Sequence, residues 1–125
     1  MAINVEVKSG KIPQGEYRGR ITRVEKRDYT DTVKDETFSY IDLTIGLVQS
    51  DGGIAELKRG APMSLSPNSA LGKLARKFDS SIQVGASVDV EALFLNKEIV
   101  CYVQDVERDG SIFSEIQFGT ITPKA

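Results

Sequence analysis

The sequence predicts an all-β fold with one helix, in which five antiparallel strands close into a small barrel. Three stretches carry that expectation. Phe38 to Gln49 alternates cleanly, with Ile41, Leu43, Ile45 and Leu47 on one face and Tyr40, Asp42, Thr44 and Gly46 on the other, the period-2 pattern of a half-buried strand. Leu71, Leu74, Ala75 and Phe78 recur at i, i+3, i+4 and i+7, a single apolar stripe on a helix. Gly15 to Arg27 is a long strand in which Tyr17, Gly19 and Ile21 alternate against Arg18, Arg20 and Thr22. Its phase then slips by one residue at Arg23–Val24, as a β-bulge makes it do. A long, bulged, glycine-containing strand near the start of a small β protein can serve two sheets at once, so the barrel is expected to be built around it.

The remaining elements follow in order. Residues 1–11 carry a short alternation, Ile3, Val5 and Val7, read as a minor edge strand or a mobile arm. The Pro and Gly of Ile12-Pro13-Gln14-Gly15 punctuate a turn. Asp28 to Thr37 is polar and rich in Asp and Thr, and is expected as a long exposed hairpin loop carrying Tyr29. Ser50-Asp51-Gly52-Gly53 is a hairpin turn. The third strand, Ile54 to Leu65, is broken by Gly60 and Pro62, and the proline is expected where the strand lies at a sheet edge or ends a ladder. Ser66 is expected to cap the helix, with Pro67 at its first position. A fourth strand with Val88, Val90, Ala92 and Phe94 inward meets a fifth, with Ile99, Cys101 and Val103 inward, at a tight turn, Asn96-Lys97. After Asp109-Gly110, a further turn, Ile112 to Phe118 is a short extra strand and 119–125 a frayed tail. No repeat or composition shift divides the chain, which reads as one domain spanning 1–125.

Composition excludes several classes. The chain has 125 residues, 40% hydrophobic and 27% charged, ordinary globular values that argue against disorder. No apolar run reaches the length of a membrane span, and residues 1–11 lack the apolar segment of a secretory signal. Cys101 is the only cysteine and there is no histidine, so an internal disulfide, a Cys/His zinc site and a histidine-based triad are excluded. A reducing cytoplasm fits this usage. No cofactor and no metal is expected: Asp105, Glu107 and Asp109 lack the glycine and terminal glutamate of a calcium loop. Asp89 and Glu91, i and i+2 on one strand face, read as solvated carboxylates, so the chain is not expected to be an enzyme.

The net charge of −2 conceals blocks. Residues 8–27 carry seven basic and two acidic side chains, and residues 57–78 carry Lys58, Arg59, Lys73, Arg76 and Lys77 without an acid; the stretches 28–56 and 79–115 are acidic. The two basic blocks would form a one-sided groove if they met in space, with the acids on the opposite side or along the long loop. Equally, Lys73, Arg76 and Lys77 suit the C-terminal end of a helix dipole.

Three strands, one helix and two strands is the plan of the OB-fold barrel. Ile12 to Val106 resembles that family, and is similar in layout to the small OB-fold single-stranded DNA-binding proteins of bacteriophages and related mobile elements. The resemblance is carried by IPQGEYRGRITRVEKR, the helix SPNSALGKLARKF and the hairpin VGASVDVEALFLNKEIVCYVQDV. It implies a sequence-tolerant binder that protects or presents single-stranded DNA in replication or recombination, with RNA as the alternative nucleic acid. The chain ends in Thr122-Pro123-Lys124-Ala125 where many such proteins carry an acidic tail, so recruitment of replication partners through a tail is not expected.

A sequence-tolerant binder needs cations along the phosphate path and aromatic faces for bases. The outward faces of the first three strands offer Arg18, Arg20, Phe38, Tyr40, Lys58 and Arg59. Lys73 on the helix and the aromatics Tyr29 and Tyr102 complete the candidate set, whereas Tyr17, Phe78, Phe94 and Phe118 are assigned to the core. Arg23, Lys26 and Arg27, beside the bulge, rank below Arg18 and Arg20. The competing reading is a protein–protein module: Leu93 and Leu95, outward of Phe94, would supply an apolar patch for a partner or for a homodimer contact.

Overall fold

Alternating apolar residues dictate a sheet, and the computed structural model, which describes residues 12–124, builds one around the first strand. Its strands are β1 (Gly15–Asp31), β2 (Glu36–Val48), β3 (Ile54–Pro62), β4 (Glu98–Arg108), β5 (Ser111–Ile116) and the two-residue β6 (Thr122–Pro123). All pair antiparallel in the order β3-β2-β1-β4-β5, with β6 on β4. One helix of nine residues, α1 (Ala70–Phe78), and a single turn, α2 (Val90–Phe94), complete a mostly β architecture. No helix among the described residues is long and apolar enough to cross a membrane. The edge strands β3 and β5 share no ladder, so the sheet is unclosed among the described residues. They meet through side chains instead: Glu115 on β5 lies 3.5 Å from Arg59 Nη2 on β3 and also accepts from Arg108.

The inward faces are those the alternation assigns. Ile21, Ile41, Leu43, Ile45, Leu47, Ile99, Cys101 and Val103 are buried from the sheet, and Leu71, Leu74 and Ala75 close over them from α1. Phe94 is fully buried and meets Phe78 edge to face at 5.1 Å, a favoured aromatic geometry. Tyr17 is half-buried and its hydroxyl donates to the Pro13 carbonyl at 2.5 Å.

β1 bends where it changes partners. It pairs with β4 from Gly15 to Arg20, and the Asn96-Lys97 turn extends that ladder by one residue. Ile21 N–H donates to Lys97 O at 3.0 Å, and Asn96 N–H donates to Ile21 O at 2.7 Å. Beyond this point β1 runs with β2 alone, and the bulge sits there, at Thr22, between the pairs Ile21–Ile45 and Arg23–Thr44. The bulge therefore precedes the position expected from the slip at Arg23–Val24.

Four other expectations are corrected. The stretch Asp28–Thr37 is not a loop: β1 and β2 continue as a two-stranded ribbon to the pair Asp31–Glu36, leaving a four-residue turn in which Asp35 takes a positive φ of 52°. Threonine and aromatic residues on both sides (Tyr29, Thr30, Thr37, Phe38) favour the extended state over the Asp-rich loop reading.

The expected fourth strand is coil followed by α2. Val90 and Phe94 satisfy either period, and Asp89 decides between them by capping the turn, its carboxylate accepting from Ala92 N–H at 3.2 Å. Val90 and Leu93 then pack on the core beside Phe94, while Ala92 is exposed. The residue range 119–125 is docked rather than frayed as far as residue 124. Ile121 is fully buried, and Lys77 Nζ donates to the Gly119 and Ile121 carbonyls at 2.9 Å each. The arm expected at 1–11 lies outside the described residues.

The helix starts later than Ser66-Pro67 suggests. Residues 66–69 form a turn closed by Ser69 N–H to Ser66 O at 3.0 Å, and Ser69 is the cap, its Oγ accepting from Gly72 N–H at 2.9 Å. The turn presses so closely on the helix that a Cβ at Gly72 would stand 2.0 Å from the Ser66 carbonyl oxygen. Alanine is intrinsically better than glycine inside a helix by about 1 kcal/mol. Gly72→Ala is nonetheless expected to lower stability, by about 1–3 kcal/mol as overpacking does, and urea unfolding followed by circular dichroism measures it.

Burial pushes the Cys101 thiol up to about 11. The unfolded chain ionises first, near about pH 8.5. The stabilisation from the neutral thiol is thus complete below that pH and is lost as pH rises through about 11. Thiol labelling at pH 8 is expected to be slow in the native protein and fast in denaturant; equal rates would contradict the buried placement.

Candidate nucleic-acid interface

The register of β1, β2 and β3 assembles one outer face. Its rows run Arg20, Gly46 and Glu56; Arg23, Thr44 and Lys58; Glu25, Asp42 and Gly60; Arg27, Tyr40 and Pro62; then Tyr29 beside Phe38, and Arg18 lines a groove with Val48 and Ile54 just past the start of the ladder. The bulge makes this possible. Strict alternation from Arg18 and Arg20 would turn Arg23 and Arg27 to the far side, and the extra residue Thr22 returns them to the near side. Four arginines of one strand therefore share a face that ends in an aromatic pair. From Arg18 to Tyr29 the row spans roughly 35 Å at about 3.3 Å per residue.

The middle of the face is built. Arg27 Nε donates to Asp42 Oδ2 at 2.8 Å and Nη2 to Oδ1 at 3.4 Å, while its guanidinium carbon stands 4.7 Å from the centroid of the Tyr40 ring. The hydrogen bond to Asp42 raises the Arg27 guanidinium further above its ordinary value. Asp42 is only 7% exposed, and it fits because Gly60 faces it: a Cβ there would lie 2.3 Å from Asp42 Oδ1. The Arg27 side chain remains 52% exposed above the ring. At the other end, Arg18, Arg20, Thr22, Val48, Ile54 and Lys124 line a groove of about 410 Å³, where Arg20 Nη2 reaches Glu98 Oε1 at 3.1 Å.

Of the residues singled out from sequence, Arg18, Arg20, Tyr29, Phe38, Tyr40 and Lys58 share this face. Tyr29 and Phe38 are directly paired and exposed. Tyr40 lies on the face, but its ring is covered by Arg27. Arg59 is on the opposite side of β3, bound to Glu115, because it neighbours Lys58 and the strand alternates. Lys73 lies on α1 beside Asn68, Lys77 and Gly119, apart from the strand residues. Tyr102, directly opposite Glu16, lies on the same side of the sheet at the Arg18 end and is exposed, eleven residues along β1 from the Arg27–Tyr40 row.

The two basic blocks do not merge into one groove. Arg76 donates to the Leu65 and Gly72 carbonyls and Lys77 to those of Gly119 and Ile121, so these two cations of the second block are spent on backbone oxygens. Nor are the acids segregated: Glu16, Glu25, Asp42 and Glu56 lie on the outer face among the arginines, and Asp42, expected at the solvent-facing side of its strand, is buried.

Arg23 and Arg27 are the residues the sequence ranking passed over. Their signal was the continued alternation Arg23, Glu25, Arg27, Tyr29 once the strand is carried through Asp31. Leu93 and Leu95 are half-buried rather than an exposed patch. Among the described residues no group of histidine, cysteine and carboxylate side chains is placed to hold a metal ion. No family model matches the sequence, and no curated protein matches it either.

Proposed function

We propose that this protein binds single-stranded DNA without strong sequence preference, laying the strand along the outer face of β1, β2 and β3. The observation that carries the reading is the row Arg18, Arg20, Arg23 and Arg27 leading to the paired rings of Tyr29 and Phe38. Cations along a path and flat groups on which bases stack are the two requirements of a sequence-tolerant binder. The finer fold assignment belongs with this proposal. The order β3-β2-β1-β4-β5, with α1 between β3 and β4, matches the connectivity of a five-stranded OB barrel, and the Arg59–Glu115 pair spans the two edges such a barrel joins. In that fold the face of the second and third strands and the loop between the first two take oligonucleotides. Protection or presentation of single strands during replication or recombination is the role that follows.

The carboxylates on the face limit the strength of the contact. Among the described residues Arg18 and Lys58 make no ion pair, and Arg23 makes only an exposed one, to Glu25 at 3.7 Å, of the kind worth little in water. About three phosphate contacts give a log–log salt slope of about −2, at about −0.7 per phosphate for single strands. Titration of a fluorescent oligo-dT at several salt concentrations measures it. Lys58→Ala is expected to flatten the slope by about 0.7, and Tyr29→Ala or Phe38→Ala to cost about 1–3 kcal/mol at every salt concentration. No binding at low salt sinks the proposal.

A further inference from the structure

Arg27 presents a flat cation that is fixed before any ligand arrives. An exposed arginine ordinarily samples many rotamers, and ordering it on binding opposes association. Here the Tyr40 ring supports the guanidinium from below at 4.7 Å, Asp42 holds two of its nitrogens from the side, and Gly60 leaves the space in which the Asp42 carboxylate lies. The Tyr40 ring, which would otherwise be the obvious stacking surface, is therefore occupied. A guanidinium plane stacks on bases as aromatic rings do, and its charge adds a cation–π contribution.

We infer that the exposed face of the Arg27 guanidinium, rather than the Tyr40 ring, is the base-stacking platform in the middle of the interface, and that Asp42 is its positioning residue. The inference rests on the single-strand reading and deepens it: the ligand at this point is an unpaired nucleobase, not a phosphate. A base on Arg27 continues the row set by Tyr29 and Phe38, one pleat away on the same face.

The two roles open to Asp42 differ in sign. A carboxylate that merely sits in a phosphate path repels the ligand, and its removal tightens binding. A carboxylate that holds the platform weakens binding when it is removed, although the protein gains positive charge. The experiment uses full-length protein and oligo-dT carrying one 2-aminopurine, with affinity read from anisotropy at several salt concentrations and stacking read from quenching of the 2-aminopurine.

Asp42→Asn is expected to weaken binding about fivefold or more. Arg27→Lys, which keeps the charge and loses the plane, is expected to weaken it about tenfold, the size of one stacked base, with an unchanged salt slope and reduced quenching. Tighter binding by Asp42→Asn overturns the inference, and so does wild-type affinity in Arg27→Lys. Thermal melts establish that the variants are folded; if burial of Asp42 makes its variant unstable, the exposed Arg27→Lys decides alone. Absence of binding by the wild-type protein removes the single-strand reading itself. Wild-type binding with an inert Arg27 removes only the platform.

Discussion

The extra residue at Thr22 is the constraint on which the arginine-bearing outer face depends. A strand has two sides and a fixed period, so every residue's side follows from the residue before it unless the ladder is interrupted. The Asn96-Lys97 turn takes both backbone groups of Ile21 and ends the pairing with β4, and at the next residue the bulge shifts the register against β2. Before the bend, the inner face holds Tyr17, Gly19 and Ile21; after it, Val24. Without the interruption Val24 would be driven outward and Arg23 inward, which couples the hydrophobic core and the arginine row to the same single residue.

The faces of the strands were readable, inside and out, while the partners of their polar side chains were not, for a physical reason. Leu43, Ile45, Leu47, Ile99, Cys101 and Val103 occupy the faces that alternation assigns because burial of apolar area is strong and local. Ser66-Pro67 and Ser69 both carry capping signals in the sequence, and the hydrogen bond from Gly72 N–H to Ser69 Oγ identifies Ser69 as the cap. Val88 to Phe94 read as a strand because a run that short satisfies two periods, and the Asp89 side chain settles the matter through one hydrogen bond. Partner choice among polar groups was the least legible. Arg59 to Glu115, Arg76 to Leu65 O and Arg27 to Asp42 join residues between 11 and 56 positions apart, and no periodicity encodes them.

Charge counts along the chain consequently overstated the basic surface. Five cations between Lys58 and Lys77 resemble half of a nucleic-acid groove in sequence. In the structure one joins the outer face, one bridges the sheet edges, two are tied to backbone carbonyls and the fifth, Lys73, lies on α1 away from the strands. A cation bound to carbonyl oxygens contributes to the fold and to the helix end, and it is no longer available as a mobile counter-charge for a polyanion.

The ribbon from Tyr29 to Phe38 has a dynamic consequence. β3 stops at Pro62, opposite Tyr40, and after one more bond, from Met63 N–H to Ser39 O, the ladder has only two strands, whose residues Tyr29, Thr30, Thr37 and Phe38 are exposed. Two-stranded segments are marginal on their own, and segments with few buried contacts open at the low end of a protein's free-energy range. The aromatic pair is therefore carried on the least supported part of the sheet, while the rows of Arg20 and Arg23 stand on its three-stranded part. Anything that touches both parts of this face would meet a well-supported floor and a less supported finger.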